Sequence, residues 1–105
     1  DALATGAVTV ASRDVQLNGV AVHSGSWLGL QEGEPVAGGA TFDDVAKDVL
    51  ERLLAEPRGL VTLLTGSDPP ELDGIVSYLR ERHPDVELEV HRGGQPHYPL
   101  LVAAE

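Results

Sequence analysis

Leu60-Val61-Thr62-Leu63-Leu64 is the stretch on which the fold turns. It is short, nearly all apolar, and bounded by Gly59 and Gly66. A run of that length and composition predicts a strand buried on both faces. The segments on either side of it step with the period of helices. Upstream, Phe42, Val45, Ala46, Val49, Leu50, Leu53 and Leu54 recur at intervals of three and four, one apolar stripe on a helix. Thr41 is placed to cap the free amides and Asp44 to complete a capping box, while Pro57 and Gly59 end the helix. Downstream, Ser67 or Asp68, then Pro69-Pro70 and Glu71, predict a second helix start. Leu72, Ile75, Val76 and Leu79 form its stripe, and Pro84 stops it. Arg80, Arg82 and His83 in its last turn suit the helix dipole.

Beyond that helix, Val86-Glu87-Leu88-Glu89-Val90 alternates, as a strand with one solvated face does. Leu100-Leu101-Val102-Ala103-Ala104 is a last apolar strand. A strand-helix-strand order implies a parallel crossover. The short link before Leu100 makes the last two strands antiparallel. The expectation is an α+β domain, an α/β two-layer arrangement of a mixed β-sheet with two helices.

Residues 1–39 read as a small antiparallel β-hairpin unit preceding it. Val8 and Val10 mark one face of a first strand. Val15-Gln16-Leu17 and Val20-Ala21-Val22 flank Asn18-Gly19, a pair suited to a type I′ turn. Trp27-Leu28-Gly29-Leu30 and Pro35-Val36-Ala37 make a second hairpin turning at Glu32-Gly33-Glu34, with Gly38-Gly39 as a linker. The whole, 1–105, is one domain, with 40–105 as its helix-strand-helix-strand-strand unit. Trp27 is read as cover for the β unit in preference to an exposed partner anchor.

Composition narrows the function classes. A net charge of −10 with seven Lys plus Arg leaves no basic footprint for nucleic acid or for an anionic membrane surface. No apolar run approaches the roughly 20 residues of a membrane span. Without cysteine there is neither a disulfide framework nor a thiolate metal site. The chain begins at Asp1 and contains no Met, so it is read as a domain cut from a longer protein or a processed one.

Candidate sites are few. Thr65-Gly66-Ser67-Asp68 lies between a strand and a helix start, where anions bind in open sheets. The negative Asp68 and the amide-free prolines favour a plain capped turn there. His23, His83, His91 and His97 lack metal-ligand spacing. The acidic residues of the first helix read as a solvated face. His91-Arg92-Gly93-Gly94-Gln95-Pro96-His97-Tyr98-Pro99 is the segment least explained by core filling. Two readings stand for it: a tight connection with Tyr98 packed beneath, or a binding edge with Gln95 and Tyr98 as polar contacts.

A set of motifs in order carries a resemblance over essentially the whole chain. They are Thr5-Gly6-Ala7-Val8-Thr9 with Ala11-Ser12-Arg13-Asp14, Trp27-Leu28-Gly29-Leu30 with Glu32-Gly33, Val61-Thr62-Leu63-Leu64-Thr65-Gly66, and Gly93-Gly94-Gln95-Pro96 with Tyr98-Pro99. The sequence resembles the C-terminal domain of the dihydroxyacetone-kinase-like proteins that form the ATP-binding subunit of bacterial fatty acid kinase. The resemblance implies a cytoplasmic, non-catalytic domain of a phosphotransferase acting in phospholipid synthesis. ATP and magnesium belong to a kinase domain elsewhere in such a parent, so no cofactor is expected here. The implied partners are the rest of the parent chain and a fatty-acid-binding subunit, with homodimerisation a further option. The residues carried over as partner- or ligand-binding are Arg13, Asp14, Gly93, Gly94, Gln95, Pro96 and Tyr98, without individual roles. The alternative is a small-molecule or anion-binding module with its site at the strand ends.

Overall fold

The computed structural model describes residues 3–17 and 19–105. In chain order the elements are β1 (Ala4–Val10), β2 (Val15–Leu17), β3 (Val20–Val22), β4 (Trp27–Gln31) and β5 (Glu34–Gly39). There follow α1 (Phe42–Leu53), β6 (Leu60–Thr65), α2 (Asp73–Arg82), β7 (Glu87–Arg92) and β8 (Leu100–Ala104). Six strands form one sheet in the order β5-β4-β1-β8-β6-β7, and β2 with β3 forms a separate two-stranded ribbon. The β6–β7 pair is parallel and the other pairs of the sheet are antiparallel. The molecule is therefore an α+β domain with a mixed sheet, as the sequence predicts.

Strand β1 is central. It pairs with β4 on one side and β8 on the other, so residues 4–8 run alongside residues 100–104. β1 and the β4–β5 hairpin of the first third thus share a single sheet with β6, β7 and β8, while the β2–β3 ribbon is not a member of it. Gly38 and Gly39, expected as a linker, are paired to Leu28 and Trp27 as the end of β5. A side chain at Gly38 would strike Val22 of the ribbon, which packs directly over it.

Both helices cover one face of the sheet. Val45, Ala46, Val49, Leu50 and Leu53 of α1 and Ile75 and Leu79 of α2 join Val8, Val61, Leu63, Leu100 and Val102 in one buried core. Gly6 and Gly29 let α1 sit this close, because a Cβ on either would come within 2.7 Å and 2.6 Å of Val49. Thr41 caps α1 as read, its hydroxyl accepting from the Asp44 amide at 3.3 Å. Glu32 and Gly33 turn the β4–β5 hairpin with φ of 52° and 82°, a type I′ geometry. The left-handed Glu32 is held by Thr5, whose amide donates to its carboxylate at 2.7 Å. Asn18 of the predicted β2–β3 turn lies outside the described residues; Gly19 has φ of 79°. Trp27 is a covering residue in preference to a fully exposed one, but it covers the main core, edge-on to Phe42 of α1 at 5.3 Å, and not the β-hairpin unit alone.

Three expectations need correction. β7 and β8 run in opposite directions but do not pair, because β6 lies between them. Residues 93–99 therefore bridge the end of β6. Helix α2 starts at Asp73 behind Leu72, with no side-chain cap, and not near Ser67. Pro69 and Pro70 bias the residues before them away from helix, and the Ser67 amide donates to the Gln95 carbonyl. Finally, β6 is fully buried on one face only: Val61 and Leu63 are sealed, while Leu60, Thr62 and Leu64 are half-buried. The helices shield one side of the sheet, and the other side has only partial cover.

Candidate functional site

The ends of β1, β6 and β7 and the starts of β4 and β8 meet at one end of the sheet. The loop 93–99 crosses there and is tied down mainly by main-chain bonds. The amides of Gly93 and Gly94 donate to the Thr65 carbonyl at 2.8 and 3.0 Å. The Gly66 and Ser67 amides donate to the Pro99 and Gln95 carbonyls at 2.9 and 3.1 Å. The Gln95 side-chain amide donates to the Leu64 carbonyl at 3.1 Å and the Tyr98 carbonyl at 2.9 Å. Gly94 has φ of 70°, a conformation glycine adopts without strain. A side chain at Gly93 would strike Gln95 Oε1. The glycines and Gln95 of the predicted site thus form a brace across the end of β6.

Tyr98 has a different setting. The Thr9 hydroxyl donates to the His97 carbonyl at 3.0 Å, laying the loop over the uncovered face of the sheet. There Tyr98 remains 38% exposed. It lines a hollow of about 360 Å³ with Thr9, Arg13, Val15, Leu28 and Leu30. A second hollow of about 270 Å³, lined by Ala7, Leu30 and Leu101, shares Tyr98 with the first. Arg13 and Tyr98, far apart in the chain, are therefore brought to one hollow of mixed polar and apolar lining. Asp14 is not. Its carboxylate accepts from the Ser24 amide at 2.9 Å and braces the turn between the ribbon and β4. Pro96 and Gln95 line a separate hollow of about 240 Å³ beside Trp27 and Asp68. Sequence reasoning missed Leu30 and Leu101, whose signal was the apolar character of β4 and β8 at every position but Gly29 and Gln31.

A hollow of about 570 Å³ between Gly66, Ser67, Pro69, Arg92, Gly93 and Gly94 occupies the strand-end position where an anion would sit. The amides of Gly66, Ser67, Gly93 and Gly94 are already committed to carbonyls. Pro69 supplies none, and Arg92 is the sole cation in the lining. That geometry disfavours an anion or nucleotide phosphate. The histidines do not converge either. His83 bonds Glu51 at 3.0 Å and His91 bonds Glu89 at 3.1 Å, on different elements. Among the described residues no group of three His, Cys, Asp or Glu is placed to hold a metal. Nor is any of their helices long and apolar enough to cross a membrane.

These features define a small α+β sheet domain with one helix-covered face and one apolar, part-open face. The chain belongs to the FakA-like C-terminal family of fatty acid kinase proteins, which it matches over residues 1–105. Relatives include uncharacterized proteins of Staphylococcus aureus strains USA300 and MRSA252, 32% and 31% identical over 103 residues. Each alignment covers 96% of this chain but 19% of the relative, so the chain spans about a fifth of those proteins.

Proposed function

We propose that this domain is the non-catalytic docking module of a cytoplasmic fatty acid kinase. It receives the fatty-acid-binding partner protein on the open face of its sheet. Phosphoryl transfer to the acyl carboxylate, for phospholipid synthesis, then takes place at a kinase domain of the parent chain, which carries ATP and magnesium. One observation carries the reading: Leu30, Leu60, Leu64 and Leu101 are only half-buried on the open face, with Tyr98 exposed above the groove. Leu30 and Leu101 share a hollow with Tyr98, and apolar surface gathered in this way marks interaction sites; tyrosine and arginine, which both line the neighbouring hollow, are common energetic anchors. The charge of −10 favours a partner with a basic rim. Family membership supports the kinase context.

The test is a binding titration of this chain against the fatty-acid-binding protein of the same organism. Saturable binding is expected. Tyr98→Ala should weaken it roughly tenfold, the loss of about 1–2 kcal/mol at an aromatic anchor, with the melting temperature nearly unchanged. Absence of binding by the unsubstituted chain overturns the proposal. Unfolding of Tyr98→Ala would return Tyr98 to a purely structural role.

A further inference from the structure

The outer edge of β7 carries a self-complementary pattern, and we infer that it pairs antiparallel with β7 of a second copy of this chain. The site is distinct from the open-face groove and does not rest on the docking proposal. β7 ends the sheet, and among the described residues no strand lies beyond it. The amides of Glu87 and Gly93 donate inward, to the Gly59 and Thr65 carbonyls. Backbone groups alternate sides along a strand, so the N–H and C=O of Leu88, Val90 and Arg92 point outward to the free edge. Edge strands are commonly blunted by charged side chains, proline, a bulge or a covering loop; β7 carries charges, but of both signs and in a self-complementary order. Glu87–Arg92 contains no proline, and its register against β6 is unbroken. Val90 is 48% exposed on this edge.

The sequence Glu87-Leu88-Glu89-Val90-His91-Arg92 is acidic in its first half and basic in its second. Pairing two copies antiparallel about a two-fold axis at Val90 satisfies every outward backbone group. Val90 then faces Val90 of the other copy as a hydrogen-bonded pair, and Leu88 faces Arg92. Glu89 faces His91 as a non-hydrogen-bonded pair, the closer kind. Each copy already holds Glu89 against His91 at 3.1 Å, so the same groups can exchange partners across the axis. The apolar stem of Arg92 covers Leu88. A parallel pairing in register would set like charges side by side and leave the pattern unused. Charge complementarity therefore selects a second copy in the antiparallel sense, and the product is a continuous sheet through both molecules.

Mass measurement by light scattering across a concentration series tests this. A single strand pair is small beside a standard interface, so the chain should move from 11.1 kDa towards twice that mass as concentration rises. His91→Glu places glutamate against glutamate twice and should abolish the dimer; adding Glu89→Lys should restore it. The chain has no cysteine, so Val90→Cys gives a clean cross-linking readout. Residues in a hydrogen-bonded pair lie about 5.5 Å apart, within disulfide reach. Val90→Cys should oxidise to a covalent dimer, while Ser77→Cys, exposed on α2, should not. A chain that stays at monomer mass throughout overturns the inference. So does Val90→Cys cross-linking no faster than Ser77→Cys, or a dimer that survives His91→Glu. The edge would then be left to a strand of the parent or of another protein.

Discussion

Gln95 shows how a residue's role depends on what lies beneath it. Its amide donates to the Leu64 and Tyr98 carbonyls, and its main-chain carbonyl accepts from Ser67. The side chain is half-buried and its donors are occupied, so it supports the loop and leaves recognition to Tyr98. Gln95→Ala removes two hydrogen bonds, each worth about 0.5–1.5 kcal/mol. Stability should fall by about 1–2 kcal/mol in urea unfolding, with Gln95→Glu, which also lacks the donors, destabilised similarly. Unchanged stability with lost partner binding would restore the contact role. The Gly93-Gly94-Gln95-Pro96 motif announced a shaped turn. That Leu64 would receive the amide was not legible, because nothing local says that β6 passes under the loop.

The two helices differ in how well local signals specify them. Helix α1 has a cap, acidic residues in its first turn, an apolar stripe and an Asp48–Arg52 pair at 2.9 Å, all pointing to the same limits. Its last turn is closed by Arg58, which donates to the Leu53 carbonyl at 3.0 Å. Helix α2 lacks a side-chain cap, and the apparent start signal at Ser67-Asp68 belongs to the strand-end connection. Thr41→Ala should therefore lower stability by about 1 kcal/mol, the usual worth of a cap. Ser67→Ala and Asp68→Ala should leave the denaturant midpoint nearly unmoved. A loss at Asp68 as large as that at Thr41 would show that the 66–72 segment caps α2 after all.

Across the whole molecule, charge and cover are both lopsided. The net charge of −10 is carried on 105 residues, and such self-repulsion opposes the compact state. Screening lengths shrink from about 30 Å at 0.01 M to about 3 Å at 1 M salt. The melting temperature should rise with sodium chloride over that range. A flat or falling curve would mean that local ion pairs such as Asp48–Arg52 outweigh the global repulsion. The lopsided cover has a sequence counterpart. The apolar run 60–64 is more hydrophobic than a one-sided strand requires, and the surplus lies on the face that this domain leaves part-open.

Periodicity, capping and turn chemistry were enough to specify the α+β class, the limits of α1, the Glu32-Gly33 hairpin and the identity of the strands. Those signals act between residues a few positions apart, so they can be read along the chain. Three features lay beyond their reach: β1 between β4 and β8, β6 separating β7 from β8, and both helices on one face. Those are pairings between segments as distant as residues 4 and 104, chosen by which apolar surfaces bury one another. The same long-range choice sorted the candidate residues. It committed Gly93, Gly94 and Gln95 to holding the end of β6, and it brought Arg13 and Tyr98 from opposite ends of the chain to a common groove.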